Sequence, residues 1–402
     1  MLTLFQSNTA PDKSGGTTWL SLFFDLIYVA ILIELGHRYG NELTVIGTFN
    51  FLVMFVLIWW SWLGLVFYTR FFPADDIGQR ILTIVYMVLM VSLAFEIHSV
   101  TAATATLFTL SYAATKFVLA LMYARAWQEF PAYRAFAGHY AILNLILGLI
   151  WIVIATVAPN NFTLWIVAAI VDITLPLTII LLHKLRNRPL SPTPAEKHHH
   201  MLHRFGELTI IVLGEFFIKL VSSSSEHELE LPNLLMGACM LAISVSMWWL
   251  YFDHTSHVDT HAPRSRPTFW IYTHYFLLAG ITAYGVVGTK VYATLPNEVL
   301  ADEKRIVLCS ALAIATLALG IIDWASPEEE GAMWRKPQLS TRAVAAAILL
   351  LLAVFGSGLT ASFVTTIVTT VLVLQVVLDI AARLRNRDAG ISAEISPAPT
   401  QP

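Results

Sequence analysis

Apolar stretches of membrane-crossing length recur through almost the whole chain, and nothing else constrains its fold as strongly. A helix needs about 20 residues to cross the hydrocarbon core of a bilayer. Stretches of this kind fall at about 18–37, 44–68, 80–98, 105–125, 138–158, 162–184, 203–221, 232–252, 268–288, 305–323, 342–357 and 360–381. So many helices that are apolar all round find no place in a soluble core. Composition agrees: 57% of the residues are hydrophobic, 13% are charged, and mean hydropathy is +0.68. The expected fold class is an all-α polytopic membrane protein with about twelve transmembrane helices. The last two stretches together are too long for one crossing at about 1.5 Å per residue. "FGSG" at 355–358 supplies a turn between them, with a bent helix or a re-entrant segment as the competing reading.

Basic residues orient the spans. Eighteen of the 24 Lys and Arg fall in the N-terminal segment, in alternate loops and in the tail, which places those segments and both termini in the cytoplasm. The opposite side carries Arg38, Lys290, Lys304 and Arg305, while Lys116 and Lys219 lie within spans. The resulting organisation is a cytoplasmic segment 1–17, a first membrane half 18–184, a cytoplasmic linker 185–202, a second half 203–381 and a flexible tail 382–402. The first span carries Asp25 and Glu34 and lacks a small-residue cleavage site, so it reads as a retained span. The partner expected throughout is the lipid bilayer. Nucleic acid is not expected, because the basic residues are scattered in short loops.

The halves resemble one another faintly. Asp25 and Glu34 in the first span are matched by Glu207 and Glu215 in the seventh, and "IWWSWLGLVFY" at 58–68 by "MWWLYFD" at 247–253. Similarities six spans apart imply two parallel six-helix repeats related by an axis along the membrane normal. Tryptophan pairs near an interface also arise simply because indole favours the headgroup region.

An ionisable group in hydrocarbon is costly and faces the bundle, a partner or a water-filled cavity. Asp25, Glu34, Glu96, Lys116, Asp172, Glu215, Lys219 and His274 are the candidates. By the inferred topology Asp25 and His274 lie toward the inner side, Lys116, Asp172 and Glu215 near the middle, and Glu34 and Glu96 toward the outer side near His37 and His98. One reading joins them in a polar track for a small solute or ion. The other pairs them structurally, Glu215 with Lys219 four residues away and Lys116 with Asp172. Asp25 and Glu215 stand out, Asp25 because no basic residue lies within a turn or two, and Glu215 because it lies deep.

Histidines form a second group. "KHHHMLH" contains His200 and His203, and "DHTSHVDTH" contains Asp253, His254, His257 and His261. Imidazole and carboxylate together suit a divalent transition metal, and a hydrolytic site needs an open coordination position. The spacing matches no established metal motif, and polar loops with incidental binding or a pH-responsive surface are the other readings. No serine elbow, phosphate-cradling loop, dinucleotide fingerprint or CxxC is apparent, and no organic cofactor is expected. Gly214, beside Glu215, reads as a point of close helix approach.

"WLSLFFDLIYVAILIELGH", "RFGELTIIVLGE" and "WWLYFDH" resemble the bacterial low temperature requirement protein A family, over most of residues 15–380. The resemblance implies a polytopic membrane protein associated with growth at low temperature, and names no substrate. Phe23, Phe24 and Asp25 match the first-span motif, and Arg204, Phe205, Gly206, Gly214 and Glu215 the seventh. Glu207 departs where the family has an apolar residue, and Ser21 where it commonly has an acidic one. The leading functional expectation is transport of a small solute or ion, coupled to protons through buried carboxylates. A membrane enzyme with a cytoplasmic His/Asp metal site and a membrane sensor or structural protein are the alternatives.

Overall fold

The computed structural model describes residues 19–73, 76–97, 102–185, 197–224, 230–255, 267–326 and 336–395. Its helices are α1 (Trp19–Asn41), α2 (Val45–Phe71), α3 (Ile77–Ile97), α4 (Ala102–Glu129), α5 (Arg134–Val157), α6 (Phe162–Leu185), α7 (Lys197–Ser224), α8 (Leu231–Thr255), α9 (Pro267–Tyr292), α10 (Asp302–Ala325), α11 (Lys336–Phe355) and α12 (Ala361–Ile395). The fold is all-α, and each expected span corresponds to one of these helices. Ten of them are long and apolar enough to cross a membrane. The other two are α6, whose apolar run is Phe162–Thr178 and which contains Pro176, and α7, which carries Arg204, Glu207, Glu215 and Lys219.

Helix α5 shows how such a sequence packs. Phe136, Tyr140, Leu143, Leu147, Trp151 and Ile154 are buried, while Ile142, Leu145, Leu149 and Val153 are exposed. Both faces are apolar, as they must be when one meets protein and the other meets lipid. Since lipid is as apolar as leucine, helix association here relies on close packing and polar contacts.

The chain divides into two compact units, 1–211 and 212–402. In the first, α1 packs on α2 and α3, α3 on α4, α4 on α5, α2 on α4 and α6, and α5 on α6. In the second, α9 packs on α10, α10 on α11, α11 on α12, and α8 on α9, α10 and α12. Every packing pair among α2 to α6 thus recurs six helices later among α8 to α12. The tryptophan likeness does not share that correspondence: Trp59 and Trp62 are buried, whereas Trp248 and Trp249 are exposed. The division falls inside α7. Arg204 and Phe205 are held by Asp25 and Trp62 in the first unit, whereas Phe216 packs on Tyr284 and Gly288 in the second.

Local chemistry sets the helix ends. Thr44 caps α2 by accepting from the Gly47 amide at 3.0 Å. Asp76 caps α3 by accepting from the Gln79 amide at 3.1 Å, and it also accepts from Arg125 at 2.7 Å, so the α2–α3 turn is fastened to α4. The two amide contacts each satisfy a donor that the helix itself leaves open. Burial pushes the Asp76 carboxyl up, but the Arg125 guanidinium and the Gln79 and Gly78 amides outweigh it and hold the group below its ordinary value. A depressed carboxylate adds stability above its unfolded value of about 3.9, and that stability is lost as pH falls through the lower folded value. Thermal unfolding in detergent is therefore expected to show a stability loss between about pH 5 and pH 2, and Asp76→Asn should flatten that part of the profile. An unchanged profile would remove Asp76 as its source.

The last two stretches form separate helices. Gly358 adopts φ of +80°, a conformation glycine takes at little cost. The turn is pinned to the α9–α10 loop by Leu300 N to Leu359 O at 3.0 Å and Ala361 N to Glu298 O at 2.9 Å. Helix α12 then continues past the expected span to Ile395. Ala381, Ala382, Arg383, Leu384 and Arg385 favour helix, and extending an existing helix needs no new nucleus.

Candidate functional site

The "WWSW" run at 59–62 organises the polar interior of the first unit. Trp60 and Trp62 are two residues apart on α2, so their side chains leave the helix about 200° apart. Each indole donates to a different carboxylate: Trp60 Nε1 to Asp172 Oδ1 at 2.9 Å, and Trp62 Nε1 to Asp25 Oδ1 at 2.7 Å. Between them, the Ser61 carbonyl accepts from Tyr86 at 2.7 Å. One turn of α2 thereby fixes two acidic centres.

Asp172 of α6 is fully furnished. Its carboxylate accepts from Lys116 Nζ at 2.9 Å and Tyr112 at 2.7 Å, and the other Lys116–Asp172 distance is 2.7 Å. Lys116 also sits 4.9 Å from the Tyr112 ring centroid, where the π face favours a cation. The structural reading of this pair is the one the geometry displays.

Asp25 of α1 is less completely satisfied. Arg204 Nη2 donates to Oδ1 at 2.7 Å, the oxygen that Trp62 also uses. No basic residue lies within a turn or two of Asp25 in sequence, and its cationic partner Arg204 comes from 179 positions away, beyond the reach of any local pattern. Arg204 is buried inside α7. Among the described residues, Asp25 Oδ2, Arg204 Nε and Nη1 and Ser61 Oγ are buried without hydrogen bonds. Leaving such groups dry is costly.

Glu96, near the end of α3, is buried and accepts from Ser111 at 2.9 Å through Oε1, while Oε2 makes no hydrogen bond among the described residues. The nearby guanidinium of Arg38 donates instead to the Ile97 carbonyl at 3.1 Å. Among the described residues no Lys, Arg or His pairs with Glu96. Glu34 lies 3.8 Å from His37 toward the C-terminal end of α1, and His98 lies outside the described residues.

In the second unit Glu215 is paired with Lys219 one turn along α7. Gly214 is not a point of close approach, since a Cβ there would meet nothing within 4 Å. The close glycines are on α9, where a Cβ at Gly285 would lie 3.6 Å from Glu215 Oε2 and one at Gly288 3.0 Å from Phe216. His274 is buried, with Nδ1 2.6 Å from the Trp270 carbonyl and Nε2 3.2 Å from the Tyr251 hydroxyl. The candidates thus resolve into separate clusters in each unit.

Sequence reasoning missed one centre entirely. Arg342 of α11 is buried and donates from Nε to Asp323 of α10 at 3.3 Å and from Nη2 to Asp379 of α12 at 2.8 Å. These residues sit at span ends, where charges look solvated, and only the packing of three helices turns them inward.

The histidine group is dispersed where it is described. His203 lies 3.5 Å from Glu207, and Asp253 is held by Arg383. His200 and His254 belong to α7 and α8, while His257 and His261 lie outside the described residues. Among the described residues no three His, Cys, Asp or Glu side chains converge to hold a metal ion.

The chain is 24% identical over 296 residues to an uncharacterized protein of Rhizobium meliloti (strain 1021), an alignment covering 70% of this chain and 71% of that protein. The model of the bacterial low temperature requirement A protein family matches residues 16–377. That span takes in α1 to α11 and more than the first third of α12, with Asp25, Trp62, Glu96, Asp172 and Arg204 all inside it, and the chain belongs to the bacterial low temperature requirement A protein (LtrA) family.

Proposed function

We propose that this multi-pass membrane protein carries a small solute or ion across the bacterial inner membrane, with both termini cytoplasmic and with movement coupled to protons at Glu96. The observation that carries the reading is the surrounding of Glu96: a buried carboxyl group with a neutral serine as its hydrogen-bond partner and no cation paired with it among the described residues. A lone buried charge is costly enough that such a group takes up a proton instead. The paired carboxylates Asp25, Asp172 and Glu215 have counter-ions and suit positioning better than proton exchange. Two halves of matching helix order are the architecture of one class of transporter. The arrest of Asp253 by Arg383 disfavours the enzyme alternative.

The test is proton uptake into liposomes containing the purified chain and a trapped pH-sensitive dye. Glu96→Gln should reduce uptake at least about tenfold, the scale expected when an interaction with a charged group is removed, while leaving the protein folded. Wild-type vesicles indistinguishable from empty ones, or full uptake by Glu96→Gln, would overturn the assignment.

A further inference from the structure

We infer that a cleft at the α1–α2 turn binds a small zwitterion of amino-acid type, an inference that rests on the transport reading and names its substrate class. The cleft has a volume of about 220 Å³ and is lined by three polar side chains, Arg38 of α1, Glu42 just past its end and Asn50 of α2. Its floor is apolar, formed by the buried Leu35, Phe51 and Met54. Apolar walls with a few convergent polar groups are the usual make-up of a small-molecule site, and this volume suits a guest of few heavy atoms.

The walls are fixed in place. Tyr39 stacks on Phe51 with centroids 4.5 Å apart and shares a hydrogen bond with the Thr48 hydroxyl at 2.9 Å. The Glu42 amide donates to the Tyr39 carbonyl at 3.0 Å. Gly47 lets the turn come this close, because a Cβ there would stand 2.0 Å from the Glu42 carbonyl oxygen. Arg38 is half-buried and is anchored by one nitrogen only, Nη1, which donates to the Ile97 carbonyl at 3.1 Å. Among the described residues the rest of its guanidinium, the Glu42 carboxylate and the Asn50 amide make no hydrogen bond or ion pair.

Charge defines the guest. Glu42 is the charged group that acts on Arg38, yet the two form no ion pair, and an exposed pair of this kind holds its partners weakly. Helix α2 contributes no charged residue to the lining. Of the neighbouring acids, Glu34 faces His37 and Glu96 accepts from Ser111. The lining therefore offers one charge of each sign. A lone anion would meet Glu42 as well as Arg38, and a lone cation the reverse. A guest with a carboxylate for the guanidinium fork and an ammonium for Glu42 satisfies both. Positions one turn apart have Cβ atoms about 5–6 Å from each other, so the two charges of the guest stand on a short backbone. Asn50 can serve either end, its amide donating and its carbonyl accepting, and the apolar floor takes a small aliphatic side chain. The anchor of Arg38 at Ile97, the residue after Glu96, ties the cleft to the end of α3 that carries the proton site.

L-Alanine is the probe. Radiolabelled alanine should bind the full chain in nanodiscs, with Arg38→Gln and Glu42→Gln each lowering affinity about tenfold or more. Glu42 is exposed, so its variant keeps the fold and the test stands even if Arg38→Gln misfolds. Propionate and ethylamine, each carrying one of the two charges, should compete poorly. No alanine binding in the wild type, full binding by Glu42→Gln, or propionate competing as well as alanine itself would overturn the site. Proton uptake without alanine binding would leave the transport reading standing and remove this substrate class; alanine binding without proton uptake would keep the site and remove the role of Glu96.

Discussion

Arg204→Ala is expected to lower stability by about 3–5 kcal/mol, the range for breaking a buried ion pair from one side. The magnitude follows from what is left behind. Asp25 would retain the Trp62 hydrogen bond but lose its paired cation while fully buried. Fluorescence-detected unfolding in detergent micelles reads the change directly, because Trp62 touches the affected carboxylate. Asp25→Asn in the same background should restore a substantial part of the loss, since the residual penalty is that of an uncompensated charge. A loss below about 1 kcal/mol, the level of a solvated surface pair, would show that the pair is open to water.

The second large effect is expected at Arg342. One guanidinium there serves Asp323 and Asp379 from different helices, so Arg342→Ala withdraws a cation shared by two buried carboxylates. A cost of about 3–5 kcal/mol is expected again, with unfolding monitored by circular dichroism. Arg342→Lys should recover only part of it, because an ammonium is a point charge and lacks the planar fork that reaches two acceptors at fixed angles. Full recovery by lysine would mean that charge alone holds α10, α11 and α12 together. Reduction of the penalty by Asp379→Asn would identify that carboxylate as the one left uncompensated.

The two arginines show why sequence reasoning reached some features and missed others. Both stand near the ends of spans, where basic residues are usually solvated. Their partners lie on helices distant in the chain. By contrast, Glu215 and Lys219 are one helical turn apart, and that spacing made their pairing legible. Lys116 and Asp172 were legible as one option, because two opposite charges at similar depth in hydrocarbon seek each other. The supporting Tyr112 and Trp60 bonds were not, since they depend on how α2, α4 and α6 rotate about their axes.

Glycine makes the same distinction. Gly214 beside a buried glutamate looked like a contact point, yet the contact is made by Gly285 and Gly288 of α9. A glycine in a sequence shows where a helix can be approached, not from which side the neighbour comes. Likewise the tryptophans of α2 and α8 look alike in sequence, but Trp59 and Trp62 are buried whereas Trp248 and Trp249 are exposed.

Sequence by itself determined the membrane class, the twelve helices with their approximate limits, the family and a short roster of ionisable residues that needed an explanation. These properties are sums over local stretches, because crossing a bilayer depends on about twenty neighbouring residues and their hydropathy. Tertiary structure alone decided which carboxylates have counter-ions, that Glu96 is held by serine, and that the Asp25–Arg204 pair leaves polar atoms open. Those depend on the angular setting of helices far apart in the chain, and a rotation of one residue, about 100°, is enough to exchange a partner for lipid.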